Sequence, residues 1–334
     1  MDCHTDRGLK GPSIRSLFVF FVVIACCVPQ VGLTAAFDGP LAVRNQFPLV
    51  LPALPPSFES ARPGDSFSLS LSHSSVNLVQ NTSQWTVGLD MEITELAFRL
   101  AKRIGERFQL SATVPILVFG SGVMDEPLEW YHRTFGFPDY GRESRPDNSF
   151  LYEVSKDGRL LIKGQNGRIG IGDVRLAAQY CVYSTNPVIS LRAEVELPTG
   201  DAKGGYGNGS LDTGLSVLVD GQLGRSVMVY GNAGIVFPGD LKGYERVDLD
   251  EFGFAAAGVE VLLSERFSAL GQVIVQGMPF PKTGISEIDG TSLILSLGAR
   301  YRSGPNTIEV SLTEDPGVSG APDFTLSALY RRRF

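Results

Sequence analysis

The sequence predicts an all-β chain: a closed antiparallel transmembrane β-barrel of about twelve strands, with a short helix in one long external loop. Three observations carry that expectation. About a dozen segments alternate apolar and polar side chains, the two-residue period of a strand. The connections between those segments alternate between short and long. Beyond residue 36 no stretch is apolar enough for a membrane helix, so a crossing has to be made by strands that leave no edge unpaired in lipid.

The chain opens with a processing segment. Arg7, Lys10 and Arg15 precede the apolar run Leu17–Val28, and Thr34-Ala35-Ala36 reads as a cleavage site before Phe37. Residues 1–36 are therefore expected to be an export signal removed from the mature protein. Twelve apolar residues are too few for a transmembrane helix. A lipoprotein signal at Val23-Ile24-Ala25-Cys26 is the alternative. Loss of Arg7, Lys10, Arg15, Asp2 and Asp6 leaves 26 basic and 34 acidic side chains, a net of −8. That balance argues against nucleic acid as a partner. Of the four cysteines only Cys181 remains, so no intrachain disulfide can form. Cys181 is expected to be packed in the lumen beside Gln179 and Tyr183.

Residues 37–64 hold six of the twenty prolines and cannot form a regular helix or a central strand. They form either an extended periplasmic leader or an apolar plug turned back into the barrel mouth. Leu49, Val50, Leu51 and Leu54 are too apolar for a freely solvated linker.

The barrel is expected over residues 65–334. In the first strand Phe67, Leu69 and Leu71 alternate with serines. In the second, Trp85, Val87, Leu89, Met91 and Ile93 give way to Leu96, Phe98 and Leu100 on the other parity. A bulge near Thr94–Glu95 would keep Glu92, Glu95 and Arg99 together in the lumen. Without a bulge, Arg99 would face lipid at about 2–4 kcal/mol near the midplane. Later strands place Arg175, Arg192, Glu194 and Arg300 inside, and Phe254 sharing a parity with Glu260 leaves one strand untidy. Charges of both signs suit a narrow water path or a filled, ion-paired interior equally. They do not form a selectivity ring of one sign.

Short turns fall near 104–107, 184–187, 224–225, 264–266 and 303–306. Longer links fall at 118–168, 197–211, 238–251, 279–289 and 314–321. Short periplasmic turns and long external loops are the pattern of outer-membrane barrels, with both termini on the periplasmic side. A soluble β-sandwich would not show this asymmetry. The last strand, Asp323–Phe334, puts Phe324, Leu326, Ala328, Tyr330 and Phe334 on one face. Arg331 and Arg333 take the other. It resembles the closing strand and assembly signal of bacterial outer-membrane barrels. The implied partners are outer-membrane lipids and the barrel assembly machinery.

The leader R-N-Q-F-P-L (Arg44–Leu49), the segment M-D-x-x-L-E-x-x-H-x-x-F-G (Met124–Gly136) and Gly141-Arg142 resemble an uncharacterised outer-membrane barrel family, the domain of unknown function 3187. The resemblance implies fold and location and brings no activity with it.

Three function classes remain. The first is passive transport or binding of a small solute through the lumen. The second is an outer-leaflet lipid hydrolase with His73 as base, Ser75 as nucleophile and Asn77 as orienter, all on the outward parity of the first strand. A polar collar at the bilayer edge explains the same three residues without chemistry. The third is a structural or adhesive barrel acting through its loops. In the long loop, Pro127 at a first turn followed by Leu128, Trp130, Tyr131 and Phe135 suggests a short helix. Glu129 and His132 share one face of it. With Asp125 and Arg142 they form a candidate solute contact, or ion pairs that tie the loop down. Two ligand-type residues are too few for a metal site. No metal or cofactor is expected. The run Gly204–Gly209 is expected to be a flexible external loop, since it lacks the nucleotide fingerprint spacing.

Overall fold

The computed structural model describes residues 37–124, 134, 146, 148–317 and 319–334. Twelve strands form the ring. They are β1 (Ser66–Asn81), β2 (Trp85–Ile104), β3 (Phe108–Gly120), β7 (Val174–Tyr183), β8 (Val188–Leu197) and β9 (Asp212–Leu223). The ring continues through β10 (Val227–Phe237), β13 (Phe252–Leu262), β14 (Phe267–Gln276), β15 (Ser292–Ser303), β16 (Asn306–Glu314) and β17 (Phe324–Arg333). Each pairs antiparallel with its chain neighbour, and β17 pairs with β1 from Ser66↔Arg333 to Ser75↔Phe324. The sheet therefore has no free margin in the ring, the condition for placing a sheet in hydrocarbon.

The intervening elements are short and lie at one end. They are β4 (Leu151–Lys156), β5 (Arg159–Lys163), β6 (Ile169–Ile171), a 3-10 turn at Ala202–Gly204, β11 (Leu241–Lys242), β12 (Arg246–Val247) and the one-turn helix α1 (Ser286–Asp289). This is the upper end. The lower end carries Ser66, Phe334 and the tight turns. The β4–β5 hairpin falls inside the expected 118–168 link and extends the sheet beside the top of β2. Its turn is Asp157-Gly158, both at positive φ (49° and 71°). That dipeptide between apolar alternations is a strong hairpin signal. Apart from residue 134, the expected helix around 125–136 lies outside the described residues.

Outward residues form an apolar belt. Leu71, Leu100, Leu191, Leu215, Val217, Ile308, Val310 and Leu326 are all exposed. On β17 the outward set is Leu326, Ala328 and Tyr330, as the parity of the sequence predicts, and Arg331 and Arg333 turn inward.

Two expectations are corrected here. The bulge near Thr94–Glu95 is absent: the β1–β2 register runs unbroken from Ser66↔Ala101 to Asn81↔Thr86. Glu95 and Arg99 thus face the lumen, but Glu92 faces outward with Asp90, and Met91 and Ile93 face in. The physical reason is that β1 and β2 are long. Their upper halves rise past the belt to where the barrel interior is apolar and the exterior is polar. The same length explains the link between them. It has three residues, Thr82–Gln84, although it lies at the upper end, so the alternation of link lengths is not strict. The untidy strand resolves without irregularity. Phe252 and Phe254 point inward and pack on Leu54 and Val236, and Glu260 shares their face lower down.

Candidate functional site: the occupied lumen

Residues 37–64 run inside the barrel. They enter at the lower end, where Arg333 Nη2 donates to the Phe37 carbonyl (3.2 Å) and pairs with Asp38 (2.7 Å). They climb past β14, β15 and β16 to an apex at Phe47–Leu51, a single turn in which Val50 and Leu51 donate to the Phe47 carbonyl. They then descend along β8 and β9 to Asp65. Proline spacing rules out strand pairing for such a segment, so its backbone groups need other partners.

The lumen side chains supply them. Leu41 N donates to Gln272 Oε1 (2.9 Å) and Ala42 N to Glu309 Oε1 (2.9 Å). Leu54 N donates to Glu196 Oε2 (2.8 Å) and Ala61 N to Asp220 Oδ1 (3.0 Å). Carbonyls are met in the same way: Ser190 Oγ donates to Ala61 O and Gln179 Nε2 to Ser60 O. Much of the interior polarity that a sequence reading assigns to a water path is thus spent on an internal peptide.

The apex sits in an apolar cap. Phe47, Leu49, Val50 and Leu51 pack with Trp85, Leu89, Met91, Phe119 and Tyr152. Residues from the upper loops complete it, among them Leu161, Tyr206, Leu241 and Ile288. The Gly204–Gly209 run is built into this cap rather than loose. Tyr206 stacks on Phe119 with 4.7 Å between centroids and donates to Arg168 O (2.7 Å), and Asn208 donates to both oxygens of Asp212. Asp173, between β6 and β7, accepts from Gly200 N (2.6 Å) and Asn208 N (3.2 Å). Burial outweighs those bonds and pushes its carboxyl up to about 6.

The lower half is polar. Arg300 is fully buried and donates to Glu309 (Nε, 3.0 Å), Glu260 (Nη1, 2.7 Å) and the Pro40 carbonyl (3.2 Å). Tyr230 also donates to Glu260, and Arg302 reaches Glu260 and Asp38. Arg192 binds Glu194 (3.1 Å) and Arg44 binds Glu95. Next to these groups lies a cavity of about 470 Å³. Its lining includes Glu95, Arg99, Arg175 and Arg331 from the wall and Asp38, Arg44 and Glu59 from the internal segment.

Of the expected lumen residues, Glu95, Arg99, Arg175, Arg192, Glu194 and Arg300 face in and Glu92 does not. Glu92 accepts from His73 Nε2 (2.6 Å) and from the amides of Val123 (2.8 Å) and Met124. His73 Nδ1 meets Thr94 Oγ1 (2.8 Å). Both ring nitrogens are thereby engaged and neither is left to take a proton from Ser75. The outward row His73, Ser75, Asn77 is instead joined across the strand pair to Thr94, Glu92 and Asp90. Asp125, Glu129, His132 and Arg142 lie outside the described residues. Cys181 is buried with Ala61, Val188 and Leu218, while Tyr183 turns outward past a register shift. Sequence reasoning missed Glu59 and the role of Gln272 and Asp220. Glu59 is the sole carboxylate between Gly39 and Gly64, a weak signal that gains meaning once the segment is inside a ring of arginines.

A family described as "Protein of unknown function (DUF3187)" matches residues 17–334. No curated protein matches the chain. Among solved structures, the COG4313 outer membrane channel from Pseudomonas putida F1 is 16% identical, with a TM-score of 0.53 over 81% of this chain and 96% of that one. The NanC porin is 7% identical, with a TM-score of 0.46 over 80% and 98%. The TodX deltaS2S3 mutant monoaromatic hydrocarbon channel is 8% identical, with a TM-score of 0.44 over 88% and 100%. At 16% identity the first of these establishes a shared outer-membrane barrel fold and nothing finer.

Proposed function

This chain belongs to the DUF3187 family, and we propose that it is an outer-membrane barrel that takes a small solute into its lumen and passes it when residues 37–64 yield. One observation carries the reading. The lumen holds a sizeable polar cavity beside a segment that is fastened by side chains and by an apolar apex rather than by a strand ladder. Such a segment can move without breaking the ring, because none of the β-ladder depends on it. In the same proposal the outward belt meets outer-membrane lipid, residues 1–36 direct export, and the strand ending at Phe334 is read by the assembly machinery.

Solute passage is tested by conductance in planar bilayers. Leu49 is buried in the apolar cap, and Leu49→Asp places a charge there, which expels the apex. The expectation is a low conductance for the parent and a larger one for Leu49→Asp. Flat traces for both, with the barrel folded, reject passage.

A further inference from the structure

Glu59 of the internal segment is surrounded by cations. Arg99 Nη2 lies 3.1 Å from it and Arg192 Nη2 3.9 Å. Arg331 and Arg175 act on it electrostatically from β17 and β7. These four guanidinium groups come from four different strands and converge on one carboxylate that the wall itself does not supply.

The arginines are not used up by that carboxylate. Arg175 is 6% exposed, and its Nε has no hydrogen-bond partner from the protein. Its nearest ion-pair contact is Glu196 at 3.9 Å, whose other oxygen already accepts from Leu54 N. Arg99 Nη2 is ion-paired with Glu59 at 3.1 Å but has no hydrogen-bond partner of its own. Arg331 donates to a backbone carbonyl, that of Asp38 (2.7 Å). The neighbouring carboxylates are committed: Glu95 to Arg44, Glu194 to Arg192, and Asp38 to Arg302 and Arg333. Among the described residues the cavity is lined by seven arginines and four side-chain carboxylates. A buried donor left unmade is unfavourable by about 1–3 kcal/mol, more when charged. Planar guanidinium forks match the two oxygens of a carboxylate or phosphate.

We infer that the cavity binds a small organic oxyanion, a carboxylate or phosphate group held by Arg99, Arg175 and Arg331, with Glu59 as the resident competitor. The cavity volume fits a molecule larger than the bare anion. The inference rests on the reading that solutes enter the lumen. It adds a chemical class and a reason for the segment to yield: an incoming anion replaces Glu59 among the arginines and weakens its seat.

The test is calorimetry on the folded full barrel in detergent with succinate, inorganic phosphate and glucose as probes. The expected result is binding of one or both anions with a Kd of about 1 mM or tighter and no heat from glucose. Arg175→Gln should weaken that binding by about tenfold or more, and Glu59→Gln should strengthen it by about tenfold, since a competing charge is removed. Circular dichroism confirms that each variant is folded. The proposal is overturned by no anion binding up to about 10 mM in parent and Glu59→Gln alike. It is also overturned by glucose binding as well as succinate, or by Glu59→Gln weakening binding. Calorimetry needs no flux, so anion binding without conductance rejects passage and keeps the site. Conductance without anion binding does the reverse.

Discussion

Leu49→Ala is the perturbation that separates the internal segment from the barrel around it. Leu49 is completely buried, and its neighbours Trp85, Leu89 and Tyr152 are held by the wall and upper hairpin. The wall cannot collapse into the space, because ladder hydrogen bonds fix the strands on which it stands. Truncation of a buried leucine in such a setting weakens the native contact by about 2–5 kcal/mol. Here the loss falls on seating of the segment, not on strand pairing. A loss of 2 kcal/mol raises the unseated population by about thirtyfold. Amide hydrogen exchange of residues 47–51 should therefore quicken by about thirtyfold or more, while amides of β14 and β15 stay as protected as in the parent. Exchange of 47–51 unchanged within about threefold would refute the reasoning, as would loss of protection in β14 and β15 to the same degree.

Other outcomes follow from single groups. Arg300→Met leaves Glu309 buried without its cation and takes one of two cations from Glu260, which keeps Arg302, and should lower stability by about 3–5 kcal/mol, read as a fall in Tm. Asp173 titrates near 6 in the fold against 3.8 in the open chain, so the fold favours its neutral form. Stability of the 197–211 loop should be full below pH 3.8 and fall as pH rises through about 6, by up to about 3 kcal/mol. Exchange of Gly200 and Asn208 amides over pH 4–8, after correction for intrinsic rates, reads this, and Asp173→Asn should flatten the profile. His73→Ala and Ser75→Ala should leave outer-leaflet lipids as intact as the parent does, since the His73 ring is tied to Glu92 and Thr94. Acyl release by the parent that both variants abolish would contradict this.

The ring was legible in the sequence because the belt is a one-bit code. Leu215, Val217, Ile308, Val310 and Leu326 meet hydrocarbon and their neighbours do not, so alternation is enforced at each step. Alternation says that two faces differ, not which one is inside. On β2 the apolar residues of Val87–Ile93 face in, because an apolar apex awaits them there, and Glu92 stands on the outer side, against the expectation from its parity. The β4–β5 hairpin is signalled locally by Asp157-Gly158 alone. It lies beyond the membrane and breaks the expected spacing of crossings. The apolar character of Leu49–Leu54 pointed toward the lumen. The partners of that segment did not show, because Gln272, Glu196 and Asp220 look like any wet wall residues until a backbone amide is set against them. Glu59 was invisible for the same reason.

Thiol accessibility at the apex tests the central claim most directly. Residues 1–36 are removed, Cys181→Ser clears the background, and Val50→Cys carries the probe, with Arg225→Cys in an exposed turn as reference. With the barrel folded in lipid, a water-soluble maleimide should label the turn within minutes and leave the Val50 position unmodified until the segment is unseated. Labelling of both positions at the same rate would mean that the lumen is not filled by this segment.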